Sequence, residues 1–155
     1  MRGGCLGRSC FHPEFNMIDV QTGTIRFNEP AVEILPSLTR AIFLATSEFS
    51  TAKIVVANEP WCSSKLSGYL KERDSFAVIL WFRGENLWMV TLMNVNPAFG
   101  TSWADWSSDK EQERMLAHDR WLELSLGSKR NFEWGNVCCE YDEKGGFSQI
   151  AIKFS

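Results

Sequence analysis

Two apolar runs, residues 76–83 and 87–95, are separated only by a short polar stretch at Gly84-Glu85, and this constrains the fold more than any other feature. Runs of that length rich in Val, Ile, Phe and Trp fit buried strands, and Gly beside a polar residue between them signals a hairpin turn. Successive side chains of a strand point to opposite faces. Phe76, Val78, Leu80 and Phe82 therefore share one face, and Ala77, Ile79 and Trp81 the other. Both faces are apolar, which predicts a central hairpin with at least part of its second face covered by a helix.

The rest of the chain supplies elements to pack around that hairpin. Gly23-Thr24-Ile25-Arg26-Phe27 alternates polar and apolar side chains, the period of a half-buried strand. Residues 30–36, bounded by prolines, read as a connection. Thr39 is placed to cap a short helix over residues 40–45, with Leu38 and Phe43 at the spacing of a hydrophobic staple. Residues 53–57 are β-branched and end at Asn58-Glu59-Pro60, and residues 61–66 form a weaker strand candidate. After a loop at 96–100, Ser108 and Glu111 have the spacing of a capping box for the longest helix, which stops at Gly127. On it, Met115, Leu122 and Leu126 form a narrow apolar arc, with His118 and Trp121 to one side and Asp119 and Glu123 to the other. Residues 132–142 and 147–154 make a second hairpin around residues 143–146, with Ile150, Ile152 and Phe154 turned to the core. This order lacks the repeated strand–helix–strand units of a parallel sheet. It predicts an α+β fold: a mostly antiparallel sheet of about five to seven strands with one short and one long helix packed on it.

The 155-residue length suits one domain, and 45% hydrophobic residues suffice for a core without disulfides or metals. Residues 17–155 are expected to form that domain. Residues 1–16 are expected to be a flexible leader, with Met17 as the true start. No apolar run approaches the roughly 20 residues of a membrane-spanning helix, and the leader lacks the apolar segment of a secretory signal, so a cytoplasmic protein with no membrane partner is expected. Five cysteines is an odd number, which argues against a disulfide framework. A net charge of −3 disfavours the extended basic surface of a nucleic-acid-binding protein, although such totals leave room for a local patch. Seven tryptophans are many for this length and suit either a core or a binding hot spot.

Catalytic constellations are incomplete. His118 and Asp119 are the most tempting polar pair, but consecutive helix residues point about 100° apart, so the carboxylate is badly placed to orient the imidazole. A boundary histidine bonded to the backbone is the commoner role. Cys62 or Cys138 paired with His118 would make an activated thiolate, yet both cysteines lie in strand-like segments where a small buried side chain fits. Cys138 and Cys139, as strand neighbours, face opposite sides of the sheet and cannot share a metal, so no metal site and no cofactor are expected. Gly145-Gly146 is hairpin-turn chemistry, lacking the following helix that a phosphate loop needs. The strongest binding candidate is Trp103-Ala104-Asp105-Trp106-Ser107, a loop with two indoles, followed by the acidic Asp109, Glu111 and Glu113. The alternative role for Trp103 and Trp106 is to seal the end of the core, and that for the acids is to complement the helix dipole.

Trp103-Ala104-Asp105-Trp106-Ser107, His118-Asp119-Arg120-Trp121-Leu122, Trp134-Gly135 and the stretch Tyr141-Asp142-Glu143-Lys144-Gly145-Gly146-Phe147-Ser148 together resemble a family of small bacterial proteins of uncharacterised function, over residues 17–155. The resemblance implies an immunity protein that neutralises a toxin delivered between competing bacteria, and it brings no catalytic residues with it. The expectation is a non-enzymatic protein-binding module whose partner is a toxin domain, met through Trp103, Asp105, Trp106, Asp109 and Glu113, with no nucleic-acid partner and the oligomeric state left open. Two alternatives stand beside it: a small-molecule enzyme using His118 with nearby acidic or cysteine groups, and a subunit that binds through an exposed sheet edge.

Overall fold

The computed structural model describes residues 17–28, 31–66, 70–71 and 74–155; the expected leader lies outside them. The fold is α+β. Its elements are β1 (Ile25–Asn28), β2 (Ala31–Ile34), α1 (Arg40–Ala45), β3 (Lys53–Asn58), β4 (Trp61–Lys65), β5 (Leu70–Lys71), β6 (Ser75–Arg83), β7 (Asn86–Asn94), α2 (Ser108–Leu126), β8 (Asn131–Phe132), β9 (Gly135–Asp142) and β10 (Phe147–Phe154). One antiparallel sheet runs in the order β3-β4-β6-β7-β10-β9-β8, with the two-residue β5 also on β6, while β1 and β2 pair separately. The central β6–β7 hairpin pairs Phe76 with Asn94 and Leu80 with Val90, with a register shift between Trp81 and Phe82. Among the described residues no helix is long and apolar enough to cross a membrane.

Burial explains which face became the core. Phe76, Val78, Leu80 and Phe82 are all but fully buried, together with Val90, Leu92, Ile150 and Ile152 from the neighbouring strands. The helices pack on that same face: Trp121 of α2 meets Phe76 with ring centroids 5.2 Å apart, and Phe43 of α1 lies 5.3 Å from Phe82. The β1–β2 hairpin adds Ile25, Phe27 and Ile34 to the cluster. The expectation that a helix would cover part of the second face is thus corrected. Ile79 and Trp81 are half-buried there without α1 or α2 above them, and close packing among the large side chains of the sheet supplies the burial.

Local chemistry accounts for the short elements. Thr39 caps α1, its Oγ1 accepting from the Ile42 N–H at 3.2 Å. The connection expected at 30–36 contains β2, whose Val32 and Ile34 are buried while Glu33 between them is exposed. The period-two signal was present in Val-Glu-Ile, but flanking prolines masked it.

The start of α2 differs by one residue from the expected one. Ser107, not Ser108, is the N-cap: its backbone is extended and its hydroxyl accepts from the Lys110 N–H at 3.2 Å. Glu111 is consequently not a capping-box partner and turns into the protein, where it is buried. A capping box does form one turn upstream, between Ser102 and Asp105 around a 3-10 turn at Trp103–Asp105. Ser107→Ala should therefore lower stability by about 1 kcal/mol, whereas Ser108→Ala should change it by less than about 0.5 kcal/mol; urea denaturation of the two variants distinguishes the caps. The helix stops where expected, at Gly127 with φ +67°, a conformation that disfavours a side chain.

The buried stripe of α2 is also rotated from the expected arc. It comprises Glu111, Arg114, His118, Trp121 and Leu122, while Met115 and Leu126 are only partly covered. The first half of the stripe is polar because it meets strand ends and turns that need hydrogen-bond partners, not apolar sheet.

Candidate functional site

A groove of about 440 Å³ opens between the N-terminal end of α2, the segment before it and the turn of the β9–β10 hairpin. Phe99, Trp103, Trp106 and Phe147 form its aromatic walls, Gly145 and Gly146 one side, and Glu111 with Arg114 its base.

The base is a closed polar network. Arg114 donates through Nε to the Asn94 carbonyl at 3.0 Å, through Nη2 to the Phe99 and Gly100 carbonyls at 3.1 and 3.0 Å, and through Nη1 to both Glu111 carboxylate oxygens. The five N–H groups of a guanidinium are thereby used. Glu111 Oε1 also accepts from the Ser148 N–H at 2.6 Å and the Ser148 hydroxyl at 3.2 Å. The pair joins α2, the end of β7, the following turn and β10. Because its donors are spent internally, its role at the groove is to hold the walls.

The two indoles are surface groups. Trp103 is 71% exposed and Trp106 41%, which resolves their placement against the core-sealing alternative. They are nonetheless held. Trp106 Nε1 donates to the Gly146 carbonyl at 2.6 Å, and the two ring centroids lie 6.1 Å apart. Gly146 sits beneath Trp103 so closely that a Cβ there would approach Trp103 Cη2 to 2.9 Å. Asp105 accepts from the Thr101 and Ser102 N–H groups at 3.0 and 2.8 Å, which fixes the turn carrying Trp103. Those backbone N–H groups, Ser102 first, hold its carboxyl below the usual value, and Lys110 Nζ ties the same turn to α2 by donating to the Asp105 carbonyl at 2.8 Å.

Of the residues singled out for binding, Trp103, Trp106 and Asp105 come together, whereas Asp109 and Glu113 do not join them. Both acids are exposed and lie about half a turn around α2 from the Glu111–Arg114–His118 stripe, on the solvent side. Arg114 and Gly146, which help build the groove, were not read as site residues, and Glu111 was read as a cap and as part of an acidic run. Glu111 carried the one available signal, a carboxylate three residues before an arginine, but that pattern usually marks an exposed pair.

His118 is fully buried, and its Nε2 accepts the Asn94 backbone N–H at 3.0 Å; Nδ1 has no partner among the described residues. Burial, with a smaller contribution from the Arg114 charge, lowers its pKa to about 4, so the imidazole is neutral. It does not open into the groove. Asp119 instead lies toward Cys139, whose thiol is pushed up to about 12 by burial first and by that carboxylate second. Burial likewise raises the Cys138 thiol, the reverse of activation. Cys138 pairs in register with Ala151, on the sheet face away from His118. Cys62 pairs with Phe82, six residues along β6 from the Phe76–Asn94 end where His118 binds, or about 20 Å. A cysteine–histidine pair is therefore not assembled. Among the described residues no cluster of three metal-ligating side chains forms. A second depression, near 510 Å³, lies beside β1 and β2, where Arg26 is already paired with Glu33 at 2.8 Å and Asp19 at 3.3 Å.

No protein-family model, curated protein or solved structure matches the chain.

Proposed function

We propose that the chain is a protein-binding module, an immunity-type inhibitor that neutralises a toxin domain by direct contact through the Trp103–Trp106 groove. One observation carries this reading: Trp103 is 71% exposed, yet it rests on Gly146 and sits on a turn fixed by the Ser102–Asp105 capping box. An exposed indole that is already ordered loses little entropy on binding and offers a large contact area, the combination found at binding hot spots. Asp105 adds a fixed negative charge beside it. Asp109 and Glu113 lie on a different side of α2 and belong to the contact only if the partner wraps around the helix. Inhibition would take place in the cytoplasm, and the toxin class is suggested by the family resemblance alone. The enzyme reading has no comparable support, because His118 is sealed from the groove and neutral.

A competition assay tests the proposal. A strain lacking the gene should be outgrown on contact with its parent, and a plasmid copy should restore its growth. The Trp103→Ala variant should fail to protect, with toxin affinity reduced about 30-fold or more, while its own stability changes by less than about 0.5 kcal/mol. Full protection by the variant, or a deletion strain that competes normally, would overturn the reading.

A further inference from the structure

The sheet face opposite α1 and α2 carries a second surface, away from the end where Met93 and Phe147 line the groove. Trp61 of β4 and Trp88 of β7 meet edge to face with centroids 5.0 Å apart, and the Arg83 guanidinium lies 5.6 Å from the Trp61 ring centre. Trp81 shares this face with Thr91, to whose hydroxyl its Nε1 donates at 3.5 Å. Trp88 is 38% exposed, and Trp61 and Trp81 are partly so. At the margin, Lys53 and Lys65 are direct cross-strand partners and both are exposed. Among the described residues neither lysine nor Arg83 has a carboxylate in salt-bridge range, whereas Lys153 farther across the face is paired with Glu140.

Like charges placed directly opposite on neighbouring strands repel. An anion bridging Lys53 and Lys65 would convert that repulsion into attraction. The neighbouring indoles offer stacking area to flat rings, so the ligand that satisfies both halves of the surface is an anionic chain bearing aromatic groups. A second copy of this protein would bring cations against cations, and an acidic peptide would satisfy the lysines but leave the rings without stacking partners.

We propose that this sheet face binds single-stranded nucleic acid, with bases stacking on Trp81 and the Trp61–Trp88 pair and phosphates meeting Lys53, Lys65 and Arg83. A sheet presenting aromatic side chains beside cations is the general solution for reading unpaired bases. The overall charge of −3 is no obstacle, because a single strand needs only this local cluster.

The test is fluorescence anisotropy of labelled single-stranded DNA and RNA oligonucleotides of about 12 nucleotides with the full chain. Binding should be micromolar at low salt and weaken with a slope of about −2 in log K against log salt, as three phosphate contacts require. Trp81→Ala and the exposed-site variant Lys65→Glu should each weaken binding about tenfold, with circular dichroism confirming that each is folded. Trp103→Ala should bind as the parent does, which separates this surface from the groove. Absence of binding up to about 100 µM at low salt would overturn the proposal. So would unchanged affinity in a folded Lys65→Glu variant, or displacement of the oligonucleotide by polyglutamate at equal charge, which would mark the face as a site for an acidic protein.

Discussion

Replacing Glu111 with alanine should destabilise the fold by about 3–5 kcal/mol, the largest effect expected from any single change at the groove. The substitution leaves the Arg114 guanidinium buried without its counter-charge and removes the acceptor of the Ser148 N–H. Arg114→Ala should cost a similar amount, since it leaves the buried Glu111 carboxyl without its partner and the Asn94, Phe99 and Gly100 carbonyls without their shared donor. The two losses should not add. Once one charge is gone the other has nothing to neutralise, so the Glu111→Ala, Arg114→Ala double variant should lose less than the sum of the two single losses. A double-mutant cycle by urea denaturation measures this. Additive losses would show that the two side chains act independently, and a change below about 1 kcal/mol for Glu111→Ala would show that the network is not a stabilising core element.

Acidification should produce the second large effect. His118 has a pKa of about 4 in the folded chain, well below the ordinary value of 6.5, because burial penalises its cation. Between those values the unfolded chain binds a proton that the folded chain does not, so protonation favours unfolding. Stability is therefore full above pH 6.5 and falls as pH drops toward 4, by about 3 kcal/mol in total. Asp19 and Asp105, whose carboxyls are lowered by backbone N–H groups, act in the same direction but only below their ordinary value of 3.8. The interval from pH 6.5 to 4.5 thus reports on the histidine. Melting curves across that interval should slope for the parent chain and flatten for His118→Gln; equal slopes would show that His118 is not the group responsible.

Much of the fold was legible because burial on a sheet leaves a simple imprint. The β6–β7 hairpin was readable from two apolar runs and a glycine turn, and α1 from Thr39 and Phe43, since each signal is local. What was missed depends on contacts between distant segments. Glu111 at helix position four looks like a solvent-facing acid until Ser148, 37 residues away, supplies an N–H for it. His118 does bond the backbone, its commoner role, but its complete burial depends on the end of β7 lying against it. The helix expected above the second face followed from apolar side chains alone, which do not tell a covered face from one left open. In the groove, the loop containing Trp103 and Trp106 was recognised, but its other wall was read only as a turn. A glycine pair between strands gives no sign that an indole 40 residues earlier will bond to its carbonyl.

That last contact bears on when the tryptophan surface becomes ordered. The groove is closed by Gly146 and Ser148, which leave the ribosome some 40 residues after its exposed indoles. Until the final hairpin has zipped onto β7, Trp103 has no platform and Glu111 no second partner. A nascent or partly unravelled chain would present loose tryptophans in place of an ordered surface, so an ordered Trp103 reports that the whole domain has closed.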